Sequence, residues 1–235
     1  MSQTRTIRPI PLALTAVIAA VSAAVALAVA GGHDAYAHEG AGHATSRSAT
    51  ADGAMSTSEL RLHQDMRRLW EDHVTWTRLA VISLTTNAPD TQATVARLLR
   101  NQNDIGNAIK PFYGKRAGTE LTGLLREHIT IAADLIGAAK AGDQTKIASE
   151  QKRWAGNADR IAGFLNAANP QAWKLGEMKA MLQRHLALTT QEVVTRLQHK
   201  WAADVRTYDA IHLQALGMAD MLSDGLVQQF PARFR

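Results

Sequence analysis

The chain has 235 residues, 46% of them hydrophobic but only 5% aromatic, and no cysteine. A disulfide framework, a thiolate metal centre, a haem attachment motif and a cysteine nucleophile are therefore excluded. The formal charge of +5 is spread without any block of like charges, which argues against a nucleic-acid partner, and abundant Ala, Leu, Gln and Arg favour helices over strands.

Arg5 and Arg8 precede an uncharged Ala-, Val- and Leu-rich run from Leu12 to Ala30, and Ala35-Tyr36-Ala37 supplies the small residues of a cleavage site. Residues 1–37 read as a secretory signal, so the mature chain is expected to be exported and to begin at His38. If uncleaved, the same run would anchor the protein, and this is the one membrane contact expected. Residues 38–55 are rich in Gly, Ala, Ser, Thr and His and lack apolar periodicity, as in a flexible leader. A free amine at His38, with His38 and His43 imidazoles, offers nitrogen donors suited to copper.

An all-α bundle is expected over residues 56–230, with a short tail at 231–235. Ser56-Thr57-Ser58-Glu59 fits a capping box opening the first helix. Its inward row runs Leu62, Met66, Leu69, His73, Trp76, Ala80, Ser83. Asn87-Ala88-Pro89-Asp90 ends it and starts a second helix, expected from Thr91 to Ile109, with Val95, Leu98, Gln102 and Ile105 inward and a stop near Pro111-Phe112-Tyr113-Gly114. The third helix, expected from Thr119 to Lys140, aligns Leu121, Leu124, His128, Ile131 and Leu135. After Ala141-Gly142-Asp143 the fourth carries Ile147, Trp154, Asn157, Ile161 and Phe164 up to Asn169-Pro170. The fifth presents Met178, Met181, His185, Leu188 and Glu192, and the sixth Trp201, Val205, Tyr208, His212, Ala215, Met218 and Leu222. No Gly or Pro separates these two, and the turn is placed near residues 198–200 by analogy with the earlier hairpins.

The pattern behind that analogy is a threefold repeat. Leu69-Trp70-Glu71-Asp72-His73, Leu124-Leu125-Arg126-Glu127-His128 and Met181-Leu182-Gln183-Arg184-His185 each end two apolar and two polar residues with a histidine. Six helices thus group into three hairpins with one inward His on each first helix. Asp104 and Asp159 each lie 31 residues after their hairpin's His, and Asp209 follows His185 by 24. These aspartates are expected to reach the level of the histidines.

The strings His73-Val74-Thr75-Trp76-Thr77-Arg78, Arg97-Leu98-Leu99-Arg100-Asn101-Gln102-Asn103-Asp104, Pro111-Phe112-Tyr113-Gly114, Trp154-Ala155-Gly156-Asn157-Ala158-Asp159 and Gln229-Phe230-Pro231 resemble a bacterial family of exported all-helical proteins with no established activity. The resemblance spans roughly Leu60 to Phe230 and implies a common fold, with no functional residue to carry over.

Buried imidazoles need partners, since an unsatisfied buried polar group costs about 1–3 kcal/mol. The expected pocket set is His73, Trp76, Asp104, His128, Trp154, Asn157, Asp159, His185, Tyr208, Asp209 and His212. On one reading these groups fix the register of three similar hairpins or line a small-ligand pocket of an envelope protein. On the other, His73, His128 and His185 hold a copper or iron ion. The residues three before these histidines are Trp70, Leu125 and Leu182, so the Glu-x-x-His signature of di-iron bundles is missing. There is also no nucleophile elbow, His-Glu-x-x-His or phosphate loop, and catalysis ranks below binding.

Overall fold

A computed structural model describes residues 55–235; the expected signal segment and the expected leader site at His38 and His43 lie outside the described residues. Six helices follow one another: α1 Thr57–Thr86, α2 Thr91–Ala108, α3 Lys110–Ala141, α4 Gln144–Ala168, α5 Leu175–Leu197 and α6 Trp201–Gln229, then a short 3₁₀ turn, Pro231–Arg233. The all-α fold expected from composition is what the chain adopts. Each helix packs on the next and α6 returns to α1, closing a ring, while α1 also touches α3 and α5. The first helices of the three hairpins therefore meet inside the bundle.

Local chemistry sets most boundaries. Both halves of the capping box form at Ser56 and Glu59. Asn87 ends α1 in the left-handed region at φ 55°, and Gly142 ends α3 likewise at φ 74°, conformations that Asn and Gly adopt most readily. Asp143 then caps α4 through its side chain. Asp90 precedes α2 without a side-chain cap; its carboxylate instead accepts from Ser83 Oγ at 2.8 Å. The turn between α5 and α6 falls at residues 198–200, as the hairpin analogy placed it, with His199 at φ 58°.

Two expectations are corrected. The third helix starts before the expected Thr119: Pro111 lies in a first turn that opens at Lys110, and the expected stop near Pro111-Phe112-Tyr113-Gly114 is a kink at non-helical Gly114, φ 84° and ψ 170°, inside α3. Proline lacks the amide hydrogen that a first-turn residue does not use, so it starts a helix as readily as it stops one. In the first half of α6 the buried face is rotated from the expected row. Trp201 and Val205 are both 53% exposed, whereas Asp204 and Ile211 are buried.

α2 and α3 cross at contact distance through Gly106 and Gly118, where a methyl on Gly106 would overlap the Gly118 carbonyl and the Thr122 side chain. The core is layered. Met66, Trp70, Ile105, Leu121, Ile161, Leu182, Met218 and Leu222 fill one end, Ile131, Leu135, Trp154 and Val194 the other.

Candidate functional site

The three repeat histidines lie between these apolar clusters. His73, His128 and His185 are each 4–5% exposed. Their rings meet: His73 to His185 and His128 to His185 are both 6.1 Å between centroids. Trp70 stands edge-on to His73 at 5.5 Å and Trp154 tilts over His128 at 5.2 Å, so an aromatic row crosses the bundle from one indole to the other.

Each imidazole is held by an amide on the return helix of its own hairpin, 29 residues later. His128 Nδ1 lies 2.8 Å from Asn157 Oδ1, His185 Nδ1 3.2 Å from Gln214 Oε1, and His73 Nδ1 3.3 Å from Gln102 Nε2. The same amides reach one turn back along the His helix. Asn157 Nδ2 donates to Leu124 O at 3.0 Å and Gln214 Nε2 to Met181 O at 3.2 Å. In the first hairpin Asn101 takes that second duty, donating to Leu69 O at 3.0 Å.

This division of labour fixes the protons. With their amide nitrogens committed to carbonyls, Asn157 and Gln214 turn oxygens toward the rings, so neutral His128 and His185 carry hydrogen on Nδ1 and leave Nε2 bare. The first hairpin is inverted. Gln102 Nε2 faces three acceptors, Leu98 O at 2.9 Å, Asn101 Oδ1 at 3.0 Å and His73 Nδ1 at 3.3 Å, and its two hydrogens serve two of them at a time. Gln102 Oε1 is buried with no partner.

Burial keeps the layer uncharged. It pushes His73 and His128 down to about 3, helped by the neighbouring imidazoles, and lowers His185 as well. Desolvation disfavours the cation, and no carboxylate lies in the layer to compensate. Among the described residues, no group of three or more His, Asp or Glu side chains is disposed to hold a metal ion.

The remaining expected pocket residues divide. Asn157 and Trp154 belong to the layer. Asp104, Asp159 and Asp209 are exposed, and Asp159 pairs with Lys179 at 3.3 Å. A spacing of 31 places a side chain about 200° round a helix from one at 29, so Asp104 and Asp159 face away from the imidazoles that the amides contact. Trp76 is half-buried off the layer, with the Arg97 guanidinium 5.0 Å from its ring. Tyr208 and His212 lie on the seam between α1 and α6, Tyr208 under Arg78 at 5.3 Å and His212 3.3 Å from Glu71.

A second polar centre was not expected. Arg78 on α1 donates to Glu192 on α5 at 2.7 Å and, through both terminal nitrogens, to Asp204 on α6, which also accepts from Arg196 at 2.9 Å. Glu192 and Asp204 are each 1% exposed, and burial pushes the Glu192 carboxyl up against the opposing pull of Arg78. Drawing Asp204 inward to these arginines gives α6 its rotated start. The signal for Glu192 was its inward position; Asp204, between Ala203 and Val205, falls off the expected inward row and carried none.

No protein-family model matches the chain, and no curated protein or solved structure is significantly similar to it.

Proposed function

We propose that this chain is an exported protein of the cell envelope, acting as a structural or ligand-binding helical module, with the imidazole–amide pairs fixing the register within each of its three hairpins. The observation that supports this reading is the bonding of each imidazole within its own hairpin. Two helices joined in a hairpin can slide past each other by a turn at little cost to their apolar contacts. A buried polar contact satisfied in one register only disfavours the others, as polar core groups do in coiled coils. The resemblance to exported bacterial helical proteins is part of the same proposal.

Export rests on the Arg5 and Arg8 charges, the Leu12 to Ala30 run and the Ala35-Tyr36-Ala37 site. No helix among the described residues is long and apolar enough to cross a membrane. Mass spectrometry of the chain recovered outside the cytoplasm tests this, with His38 expected first.

A second reading is favoured by the bare Nε2 atoms of His128 and His185. An imidazole whose Nδ1–H is held by a carbonyl is oriented as metal-bound imidazoles are, and copper or iron suits such nitrogen donors. Metal analysis of the untagged mature chain, with thermal unfolding with and without chelator, separates the readings. Stoichiometric copper or iron, lost on His128→Gln substitution, would replace the structural role. Metal-free protein with unchanged unfolding supports it.

A further inference from the structure

On the Trp70 side of the imidazole layer, all six helices enclose an apolar chamber of about 50 Å³ on the bundle axis, with Met66, Ile105, Leu121, Ile161 and Met218 in its wall. Protein interiors leave few voids larger than a water molecule, and an apolar void does not attract water, whereas a roomier one of about 150 Å³ binds benzene or xenon. Methionines, unbranched and polarisable, let such a wall yield to a guest. No charged side chain lines the chamber.

The chamber also has a door. Tyr113 and Phe164 line both the chamber and an open groove of about 600 Å³ between α3 and α4, where Arg160 and Glu120 stand at the rim. Tyr113 is fastened by its hydroxyl to Gln229 near the end of α6 and packs edge-on to Phe230 at 5.5 Å. The residue after it is Gly114, whose φ of 84° interrupts α3. Gly114 thus sets the first turn of α3, which carries Tyr113, apart from the rest of the helix.

We propose that this axial chamber is a binding site for a small, uncharged, apolar molecule of a few heavy atoms, admitted from the α3–α4 groove past Tyr113 and Phe164. The chamber excludes ions and hydrogen-bonding solutes because its wall offers them nothing in return for lost water. The chamber adjoins the imidazole layer, and Trp70, Ile105, Leu125, Ile161, Leu182 and Met218 wall both, but none of the three imidazoles lines it, so xenon binding does not depend on how the imidazoles are bonded.

Xenon serves as the probe, followed by xenon-129 resonance in solution and by crystals of the folded chain under xenon pressure. One saturable site in the chamber is expected, with cyclopropane competing and methanol not. Leu121→Phe should abolish it by filling the space; if that variant does not fold, Ile105→Phe carries the test. Tyr113→Phe and Gln229→Ala each free the latch and should speed xenon exchange several-fold at nearly unchanged affinity. Xenon found only at the surface, binding that survives a filled chamber, or equal competition by methanol would overturn the site. Exchange rates indifferent to both latch variants would overturn the route.

Discussion

Asn157 grips the α3 helix twice, accepting from His128 Nδ1 at 2.8 Å and donating to the Leu124 carbonyl at 3.0 Å. Its side chain is completely buried. Asn157→Ala strands the His128 Nδ1–H in the core, while the Leu124 carbonyl keeps its helical bond, and with about 1–3 kcal/mol for an unsatisfied buried group a loss of that size is expected in urea unfolding. Asp159→Ala, two residues on and exposed, should stay within about 0.5 kcal/mol. Equal effects of the two changes would contradict the amide assignment.

The neutral imidazoles make stability depend on pH in a stated direction. His73 and His128 hold folded values of about 3, against about 6.5 in an unfolded chain. Above 6.5 both states are neutral and contribute nothing. As pH falls from there toward 3 the unfolded state takes up protons that the folded state refuses, so stability is lost progressively. Each histidine contributes up to about 1.4 kcal/mol per pH unit within that window. Glu127 and Asp220, lowered by Arg160 and Arg67 respectively, erode stability only at more acid pH. Urea midpoints between pH 7.5 and 5 should therefore decline, with a shallower slope in His73→Leu. A flat profile in the parent chain would show that the rings are not held neutral.

The Arg78 cluster joins the start of α6 to α1 and α5. Removing one partner from a buried ion network leaves an uncompensated charge, which costs about 3–5 kcal/mol. Arg78→Met leaves Glu192 without its hydrogen-bonded cation, while Asp204 keeps Arg196. A loss of about 3 kcal/mol is expected, largely recovered when Glu192→Gln is added, because Asp204 and Arg196 still pair. Failure of the double change to recover stability would mean that Arg78 acts through packing on Tyr208 rather than through charge.

How much of this could be read beforehand follows from which interactions are local. The Ser56 cap, the Gly142 stop and the inward His73, His128 and His185 depend on short-range periodicity, and each is found where the pattern puts it. The turn at residues 198–200 was legible only through the repeat, because Gln198, His199 and Lys200 carry no turn signature of their own. The His partners were obscured by a competing regularity. Aspartates 31 residues on draw attention as charged partners for histidine, yet helix phase turns the amides at 29 toward the ring. Gln214 completes the 29-residue spacing that Gln102 and Asn157 begin. Asp204 was illegible because a buried carboxylate is set by where arginines of two other helices arrive, which no local pattern encodes.

Gly106 and Gly123 look alike in sequence, each isolated in a helix of similar residues, but the packing makes them opposites. At Gly106 an added methyl meets the backbone of Gly118 across the α2–α3 crossing, and the Thr122 side chain blocks the other direction. Gly106→Ala must push the helices apart, and overpacking of this kind typically costs about 1–3 kcal/mol. At Gly123 nothing lies within 4 Å of the position a Cβ would take. Gly123→Ala therefore removes unfolded-state freedom and improves helix propensity without steric conflict, a gain of about 0.5–1 kcal/mol. Thermal midpoints of the two single variants should move in opposite directions from the parent. A stabilising Gly106→Ala would mean that α2 and α3 do not cross at backbone contact.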